Sequence, residues 1–328
     1  MRVFVYEYMT ALGIGREPHT PEHGMYLEGR AMRDALLADF GRVEGVEVLA
    51  VPDAAAPVGS DGFEDLRSGA VADWTLVVAP ETDEILFRHA QTVEREPQSG
   101  QLLGCSPAAI GLTSDKLALA EHWRAHGVRT PATSDREPTP CEAFPVVWKP
   151  RDGAGSTDTF LIRDRFELAS ALAARDGGRS MILQEFVAGT PASVAFLCGP
   201  RAQMPLLPAV QRLSTDGRFK YEGGELPIRP ELAGRAVSLA RAAVVCVQGL
   251  LGYVGVDLVL GDRSDGSRDF AIEINPRLTT SYIGLRALAD FNVADVMLAV
   301  ASGRDVEPLK WKPGRVQFGA DGRVTTRC

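Results

Sequence analysis

Two apolar segments near residue 260 constrain the fold more than any other feature of the sequence. GVDLVL ends at Leu260, FAIEIN begins at Phe270, and the Asp-Gly pair between them is a turn signal. We expect a hairpin in which these two residues lie opposite each other. Alternate side chains of a strand share a face, so one face of the hairpin is entirely apolar: Val256, Leu258, Leu260, Phe270, Ile272 and Ile274. A slip of two residues would preserve this partition, which leaves the register open.

The other face of this hairpin carries a pair of carboxylates. In the same register Asp257 faces Glu273, and Asn275 lies two residues further along on that face. Facing carboxylates repel each other unless a cation lies between them. Oxygen ligands suit Mg²⁺ or Mn²⁺, and Mg²⁺ with few protein ligands completes its shell with phosphate oxygens and water. The pair indicates a nucleoside triphosphate site; the alternative is a strand face that simply meets water.

The composition limits the class of protein. Of the 328 residues, 45% are hydrophobic and 24% are charged, which is typical of a globular chain with a core to bury. A formal net charge of -8 argues against nucleic acid or an anionic membrane as a partner. Five widely spaced cysteines, odd in number and without a CxxC motif, indicate reduced thiols and a cytoplasmic location.

Strands and helices alternate along the first part of the chain, as they do in α/β domains. One predicted helix covers DKLALAEHWRAHG, and Thr113 or Ser114 is its expected N-cap. Two further strands, FPVVWKP (144–150) and TFLIR (159–163), enclose a glycine-containing loop.

A lysine precedes this glycine-containing loop. Lys149 ends the first strand, and Gly153 and Gly155 follow it. The ammonium group and the loop amides can close over phosphates, one as a point charge and the others as hydrogen-bond donors. The spacing does not match a Walker P-loop. The alternative is an ordinary hairpin turn with an exposed lysine.

The order of these segments resembles the ATP-grasp superfamily of ATP-dependent carboxylate–amine ligases. From Ser114 to Arg277 the matching segments are SDKLALAEHWRAHGVRTPAT, VVWKPRDGAGS, ILQEFVAG, GVDLVL and IEINPR. The resemblance implies an α/β fold of ATP-grasp type. It also implies an N-terminal α/β substrate-side domain at 1–113, a central lobe with the glycine-rich lid at 114–187, and a C-terminal lobe with the metal site at 188–328.

The resemblance also implies roles for individual residues, which fall into four groups. The nucleotide-binding group comprises Lys116 and Lys149 on the phosphates and adenine, the lid residues Gly153, Ala154, Gly155 and Ser156, and the hinge Glu185, Phe186 and Val187. The metal ligands are Asp257, Glu273 and Asn275. The catalytic cations are Arg277, for the transferred phosphoryl or substrate carboxylate, and Lys220, for the γ-phosphate. Val259 shares the Asp257 face by strand alternation, so we expect it in the adenine floor.

One position departs from the family pattern. Many members carry an acidic residue shortly after the hinge, where it binds the ribose hydroxyls. This chain has Pro191 and Ala192 there, and Ser193 is only a weak substitute. The departure affects ribose recognition but removes nothing that phosphoryl transfer requires.

Within the superfamily, further segments resemble the tyramine–glutamate ligase group of methanofuran biosynthesis and its bacterial relatives that make methylofuran. These segments are YEYMTALGIG, LEGRAMRDALLADF, VVAPETDEIL and EINPRLTTSYIGLR. The implied reaction joins a carboxylate such as glutamate to a tyramine-like amine through an acylphosphate, with ATP and two Mg²⁺ or Mn²⁺ ions, and releases ADP and phosphate. The alternatives are a D-alanine–D-alanine-like or other amino-acid ligase, or an ATP-binding regulatory protein without turnover. Many relatives are dimers, and the sequence leaves a homodimer open.

Overall fold

The computed structural model describes residues 1–53, 71–136, 144–153, 157–174 and 178–327. Three β-sheets with helices packed on them make up this part of the chain. The strands are β1 Arg2–Glu7, β2 Glu47–Ala50, β3 Trp74–Val78, β4 Gln101–Leu102, β5 Thr133–Ser134, β6 Val146–Pro150, β7 Phe160–Ile162, β8 Met181–Glu185, β9 Thr190–Cys198, β10 Gln203–Pro205, β11 Ala209–Leu213, β12 Tyr221–Leu226, β13 Gly252–Leu260, β14 Phe270–Asn275, β15 Arg315–Phe318 and β16 Val324–Arg327. The helices are α1 Tyr8–Leu12, α2 His23–Phe40, α3 Ile85–Arg95, α4 Pro107–Ser114, α5 Lys116–Ala125, α6 Arg165–Ala173, α7 Pro230–Val245, α8 Ser281–Leu288 and α9 Val293–Ala301, with 3₁₀ turns at Thr82–Glu84 and Pro97–Ser99.

The first sheet is parallel, in the order β2-β1-β3-β4. All five residues of β3 are buried, as expected of a parallel strand covered on both faces. Alternate residues of β1 join different cores: Val3 and Val5 pack with α2, and Phe4 and Tyr6 pack on the side of α3. No helix in the described residues is both long and apolar enough to cross a membrane.

The second sheet is antiparallel, in the order β5-β8-β6-β7, and contains both strands predicted around the glycine-containing loop. Val146 and Trp148 of β6 pack with Leu168 of α6 in a small core. The alternate residues Val147 and Lys149 point to the other face, which borders a cavity. One face of this sheet therefore packs in the small core with α6, and the other face lines the cavity.

The third sheet has the order β14-β13-β9-β11-β12-β15-β16, and β10 pairs with β9. All of its pairings are antiparallel. Helix α7 packs on one face, where it buries Ala236 and Ala240 completely, and α9 packs on the other with Met297. The helices fix the position of β13 and β14, which carry the predicted carboxylates.

The hairpin of β13 and β14 forms, with Asp257 opposite Glu273 as predicted. A bulge then shifts the register, so that Val259 rather than Leu260 lies opposite Phe270. The prediction of a Leu260–Phe270 pair is therefore wrong. A bulge adds one residue to one strand of a pair, and the sequence pattern of this hairpin contains no signal for it.

The bulge also changes which residues form the apolar face. Ala271 is fully buried, whereas Phe270 and Ile272 are only partly buried. Ile272 shares the cavity lining with Glu273. The predicted apolar face is therefore correct for the residues of β13 and for Ile274 and wrong for Phe270 and Ile272.

Helix α5 begins one residue later than predicted. Asp115, not Thr113 or Ser114, is its N-cap, and its Oδ1 accepts hydrogen bonds from the amides of Leu117 (3.1 Å) and Ala118 (3.0 Å). The two predicted caps instead belong to the end of α4. Aspartate at this position satisfies amides that the helix itself cannot bond.

A buried carboxylate joins α2 to α8. Asp39 is 1% exposed and accepts two hydrogen bonds from Arg286, of 2.8 and 2.7 Å, and one from the Tyr282 hydroxyl (2.7 Å). The same contacts hold the pKa of Asp39 below its usual value, against the effect of burial. The N-terminal sheet and the third sheet are thereby held in a defined relation.

We expect Asp39→Asn to lower the free energy of unfolding by about 3 kcal/mol. This value lies at the low end for removal of one partner from a buried ion pair, because the Arg286 side chain is 27% exposed. Urea unfolding gives the value directly. The matched control is Asp34→Asn on the same helix, where the carboxylate is 57% exposed, and a loss below about 1 kcal/mol is expected. Equal losses in both variants would contradict the assignment of Asp39 as an interdomain contact.

Candidate functional site

A cavity of about 710 Å³ lies between the second and third sheets, and residues of α2 and α5 also line it. The predicted site residues that line it are Lys116, Lys149, Gly153, Glu185, Phe186, Val187, Asp257, Val259, Glu273, Asn275 and Arg277. The predicted lid residues Ala154, Gly155 and Ser156 lie outside the described residues. Lys220 is exposed and does not line the cavity, although its neighbours Phe219 and Tyr221 do.

Lys149 is buried at the end of β6 and is held by a chain of polar side chains. Its Nζ donates to Oε1 of Gln184 (2.9 Å), and Nε2 of Gln184 donates to the hydroxyl of Thr133 (3.0 Å). Burial lowers the pKa of Lys149 to about 8, although the nearby Glu273 carboxylate raises it. The Gln184–Thr133 chain orients an ammonium group whose natural counter-ion is an anion in the cavity.

Lys116 occupies the first turn of α5. Its Nζ donates to the carbonyl of Gly153 (2.8 Å) and lies 3.7 Å from Oε2 of Glu273. The helix start is tied to the segment before the lid, because Asp115 accepts two hydrogen bonds from Arg151, of 2.8 and 2.6 Å. A lysine at the start of a helix, next to another lysine and loop amides, gives one wall of the cavity a positive potential.

The facing carboxylates of Asp257 and Glu273 lie beside these lysines in the cavity lining. Oδ1 of Asp257 accepts from Gln211 (2.9 Å), and Oδ2 accepts from Nδ2 of Asn275 (3.2 Å). Burial and the facing Glu273 raise the pKa of Asp257 well above its usual value. Burial also acts to raise the pKa of Glu273, but Lys116 and Lys149 outweigh it and the pKa is lowered.

These groups fit an oxygen-ligated divalent cation. Asn275 uses Nδ2 to bond Asp257, so its Oδ1 is the atom that can bind a cation. Within the described ranges, no cluster of three or more His, Cys, Asp or Glu side chains has the form of a metal site. A cation here would rely on two carboxylates, an amide and oxygens from a phosphate or water, which is the usual ligand set of Mg²⁺.

The predicted hinge lies at the end of β8. The amide of Glu185 donates to Ala132 (2.8 Å) and the amide of Phe186 donates to Pro145 (3.2 Å). Gly189 follows, where a Cβ would lie 2.5 Å from the Leu260 carbonyl and 2.7 Å from a methyl group of Val259. Only glycine therefore allows this close approach of the hinge to β13. The hinge and β13 therefore lie side by side, and Val187, Gly189 and Val259 all line the cavity.

The segment expected to bind ribose has no acidic residue. Ala192 is fully buried in the sheet, and Pro191 and Ser193 line the cavity. Ser193 lies next to Asp257 across the β9–β13 pairing. The polar group that β9 presents here is the Ser193 hydroxyl.

Arg277 is buried against the N-terminal domain, a contact that the sequence did not reveal. Its guanidinium donates to Oε2 of Glu81 (3.0 Å) and to the Leu278 carbonyl (3.1 Å). Glu81 is 5% exposed. Among the described residues, neither Nε of Arg277 nor Oε1 of Glu81 has a hydrogen-bond partner. Glu81 and the Leu278 carbonyl therefore fix the guanidinium of Arg277, and its Nε remains able to donate to another anion.

Sequence reasoning missed Glu28 as well, although a signal was present. Glu28 lies four residues before Met32, on the helix face that continues with Leu36 and Phe40. A carboxylate in line with a buried apolar stripe is unusual unless it faces a polar site. Both Glu28 and Met32 line the cavity.

Comparison with known proteins agrees with this arrangement. Residues 113–281 match the ATP-grasp domain, and residues 31–110 match the pre ATP-grasp 3 domain. The tyramine–L-glutamate ligase of Methanocaldococcus fervens is 28% identical over 320 residues, covering 93% of this chain and 95% of that protein. That of Methanocaldococcus jannaschii is 28% identical over 347 residues, covering 97% and 94%. The crystal structure of an ATP-grasp superfamily protein from Archaeoglobus fulgidus has a TM-score of 0.69 and 28% identity, covering 97% of this chain and 92% of that chain.

The chain therefore belongs to the ATP-grasp family, with an N-terminal pre-ATP-grasp domain. It is an ATP-dependent carboxylate–amine ligase that forms a C–N bond and releases ADP, and it is similar to the tyramine–glutamate ligase group. This confirms the fold class and the type of reaction expected from the sequence.

Proposed function

We propose that this chain activates the carboxylate of an amino acid such as glutamate as an acylphosphate and joins it to a tyramine-like amine. The observation that carries the proposal is one cavity that brings together two lysines, two facing carboxylates and a buried arginine. These groups come from three segments far apart in sequence. Phosphoryl transfer needs positioning and charge neutralisation more than covalent help, and this set of charges supplies both.

The nucleotide base is proposed to bind in the part of the cavity that the hinge and β13 line. The amides of Glu185 and Phe186 donate within the protein, so the adenine edge would meet backbone carbonyls and the amide of Val187. Val259 and Ile272 line the cavity below the hinge and would form the apolar floor. Lys149 and Lys116 would then contact the phosphates, with the loop around Gly153 above them.

The metal ligands are proposed to be Asp257, Glu273 and Asn275. Two Mg²⁺ or Mn²⁺ ions, when bound, neutralise the charge on the phosphates during transfer. Asp257 is held by Gln211, so its carboxylate keeps a defined orientation before any ligand arrives. The cations would then lie beside the lysines, because Nζ of Lys116 is 3.7 Å from Oε2 of Glu273.

The acceptor of the phosphoryl group is proposed to be held by Arg277. The guanidinium would hold the substrate carboxylate. One oxygen of that carboxylate then attacks the γ-phosphorus of ATP, with ADP as the leaving group. Lys220 is exposed near the cavity mouth, and we propose that it contacts the γ-phosphate when the nucleotide is bound. The acylphosphate then loses phosphate as the amine attacks its carbonyl carbon.

The substrate assignment to glutamate and tyramine rests on similarity to the two tyramine–L-glutamate ligases. We also propose a cytoplasmic location and small-molecule partners for this chain. Cys105, Cys198 and Cys246 are free thiols, which agrees with a reducing compartment. We also propose the domain limits 1–113, 114–187 and 188–328, with the substrate side in the first.

An acylphosphate intermediate is expected to be trapped by hydroxylamine. With ATP, Mg²⁺ and glutamate but without an amine substrate, the chain should form glutamyl hydroxamate. Oxygen-18 in the glutamate carboxylate should appear in the released phosphate, because the attacking oxygen leaves with phosphorus. Mass spectrometry of the phosphate measures this transfer. Omission of glutamate is the control, and amide formation without transfer of the label would contradict the mechanism.

A further inference from the structure

A carboxylate from the N-terminal domain lines the cavity and lies within electrostatic reach of Arg277. Glu28 of α2 lies one helical turn from Met32, and both line the cavity. Tyr221 also lines the cavity within electrostatic reach of Glu28, and its hydroxyl accepts a hydrogen bond from Thr280 (3.1 Å). This part of the cavity therefore holds a negative charge, hydroxyl groups and an apolar surface.

The position of Glu28 is fixed by the packing of α2. The next residue, Gly29, lies so close to the end of β1 that a Cβ there would overlap the buried carboxylate of Glu7. At its other end the helix is held by the contact of Asp39 with Arg286. Glu28 is thus carried by a rigid element, as precise placement of a reactive group requires.

Glu28 differs from Asp152, Asp257 and Glu273 in the same cavity, because the cations that act on its carboxylate, Arg277 and Lys220, do so without a hydrogen bond or a close ion pair. Asp257 accepts two hydrogen bonds, Glu273 lies near Lys116, and Asp152 accepts from the amide of Asp83. Among the described residues, none donates a hydrogen bond to the Glu28 carboxylate or forms an ion pair with it. Burial of an ionised carboxylate that has no hydrogen bond or close ion pair is costly unless a cationic ligand meets it.

The reaction requires a group of this kind. An alkylamine has a pKa near that of a lysine side chain, about 10, so at neutral pH it enters as an ammonium ion without a lone pair for attack. A base with a pKa near the operating pH is the most effective acceptor of such a proton.

We infer that Glu28 binds the ammonium group of the amine substrate and accepts one of its protons. The inference rests on the proposed ligase function. Glu28 takes one proton and leaves a neutral amine, whose lone pair forms the C–N bond as the C–O bond to phosphate breaks. The second proton leaves the nitrogen with the departing phosphate, so the products are the amide, hydrogen phosphate and protonated Glu28, which returns its proton to water.

The charge environment sets the expected pH dependence. Burial raises the pKa of Glu28 to about 7, and the opposing effects of Arg277 and Lys220 do not cancel it. Tyr221, the other titratable group that faces Glu28, has a pKa raised by burial and stays neutral in this range. Because the base must be deprotonated, kcat/KM for the amine should rise with pH through about 7.

The test compares Glu28→Gln with Glu44→Gln, which makes the same change at an exposed position just beyond α2. Two nucleophiles are used with ATP and glutamate: tyramine, and hydroxylamine, which is largely unprotonated at neutral pH and needs no base. We expect Glu28→Gln to lower kcat/KM for tyramine by about 10²-fold. The rise of kcat/KM with pH near 7 should also disappear in this variant. Hydroxamate formation should stay within about twofold of wild type, and Glu44→Gln should match wild type in both assays.

The same measurements separate the ways in which the inference fails. Equal losses with both nucleophiles would overturn it, because Glu28 would then serve the glutamate ammonium group or the fold. Unchanged tyramine kinetics would also overturn it. Failure of the wild-type chain to form either product would overturn the proposed function and this inference with it. Ionised Glu28 costs stability as the pH rises from 4.5 through 7, so Glu28→Gln should melt no lower than wild type at pH 8.

Discussion

Replacing Glu273 with Gln is expected to reduce turnover by about 10²–10³-fold, which corresponds to about 3–4 kcal/mol of lost transition-state stabilisation. The substitution preserves volume and removes one negative charge that faces Asp257 and lies 3.7 Å from Lys116. Cations that neutralise the phosphates during transfer would lose a ligand, so kcat should fall as well as ATP affinity. The effect should persist at saturating Mg²⁺.

The fold should survive this substitution. Removal of one of two facing carboxylates relieves repulsion, and Lys116 keeps its hydrogen bond to the carbonyl of Gly153. Turnover and thermal melting should be measured on the same sample. The control is Glu222→Gln, on the exposed side of β12 in the same sheet. A folded Glu273→Gln variant with near-normal turnover would leave the ligase assignment to rest on similarity alone.

Replacing Arg277 with Met is expected to affect both activity and stability. Turnover should fall by about 10²–10³-fold, because the substrate carboxylate loses its guanidinium. The free energy of unfolding should fall by about 3–5 kcal/mol, because Glu81 is left buried without its partner. Urea unfolding and ADP release measure the two effects separately.

The double variant Glu81→Gln/Arg277→Met separates the two roles of the arginine. It removes the unpaired charge, so most of the lost stability should return while turnover stays low. The four proteins form a double-mutant cycle whose coupling free energy reports the Glu81–Arg277 contact. Recovery of turnover together with stability would contradict a direct role of Arg277 in the reaction.

The sequence predicted that Asp257 faces Glu273, because side chains alternate along a strand and Glu273 and Asn275, two residues apart, share one face. The bulge in this hairpin could not be predicted from sequence. Inserting Ile272 without a partner leaves the apolar character of the segment unchanged, so no pattern marks it. The start of α5 was missed by one residue for a related reason: Ser114 and Asp115 are adjacent residues of types that both cap helices.

The residues around the predicted set were harder to find. Gln211 and Gln184 orient Asp257 and Lys149 through hydrogen bonds across 46 and 35 residues of sequence. A glutamine on a strand has many possible partners, and its amide carries no charge to signal one. Only the pairing of the strands selected these contacts.

The sequence by itself determined which residues form the proposed nucleotide and metal sites, because lysines, glycines and facing carboxylates act through local spacing on strands and loops. The tertiary structure decided which residues surround the proposed substrate site. Glu81 meets Arg277 across 196 residues, and Glu28 reaches the same cavity from a helix of another sheet. Such contacts depend on how separately formed sheets and helices dock, which is governed by the burial of many apolar side chains at once. No short stretch of sequence contains that information.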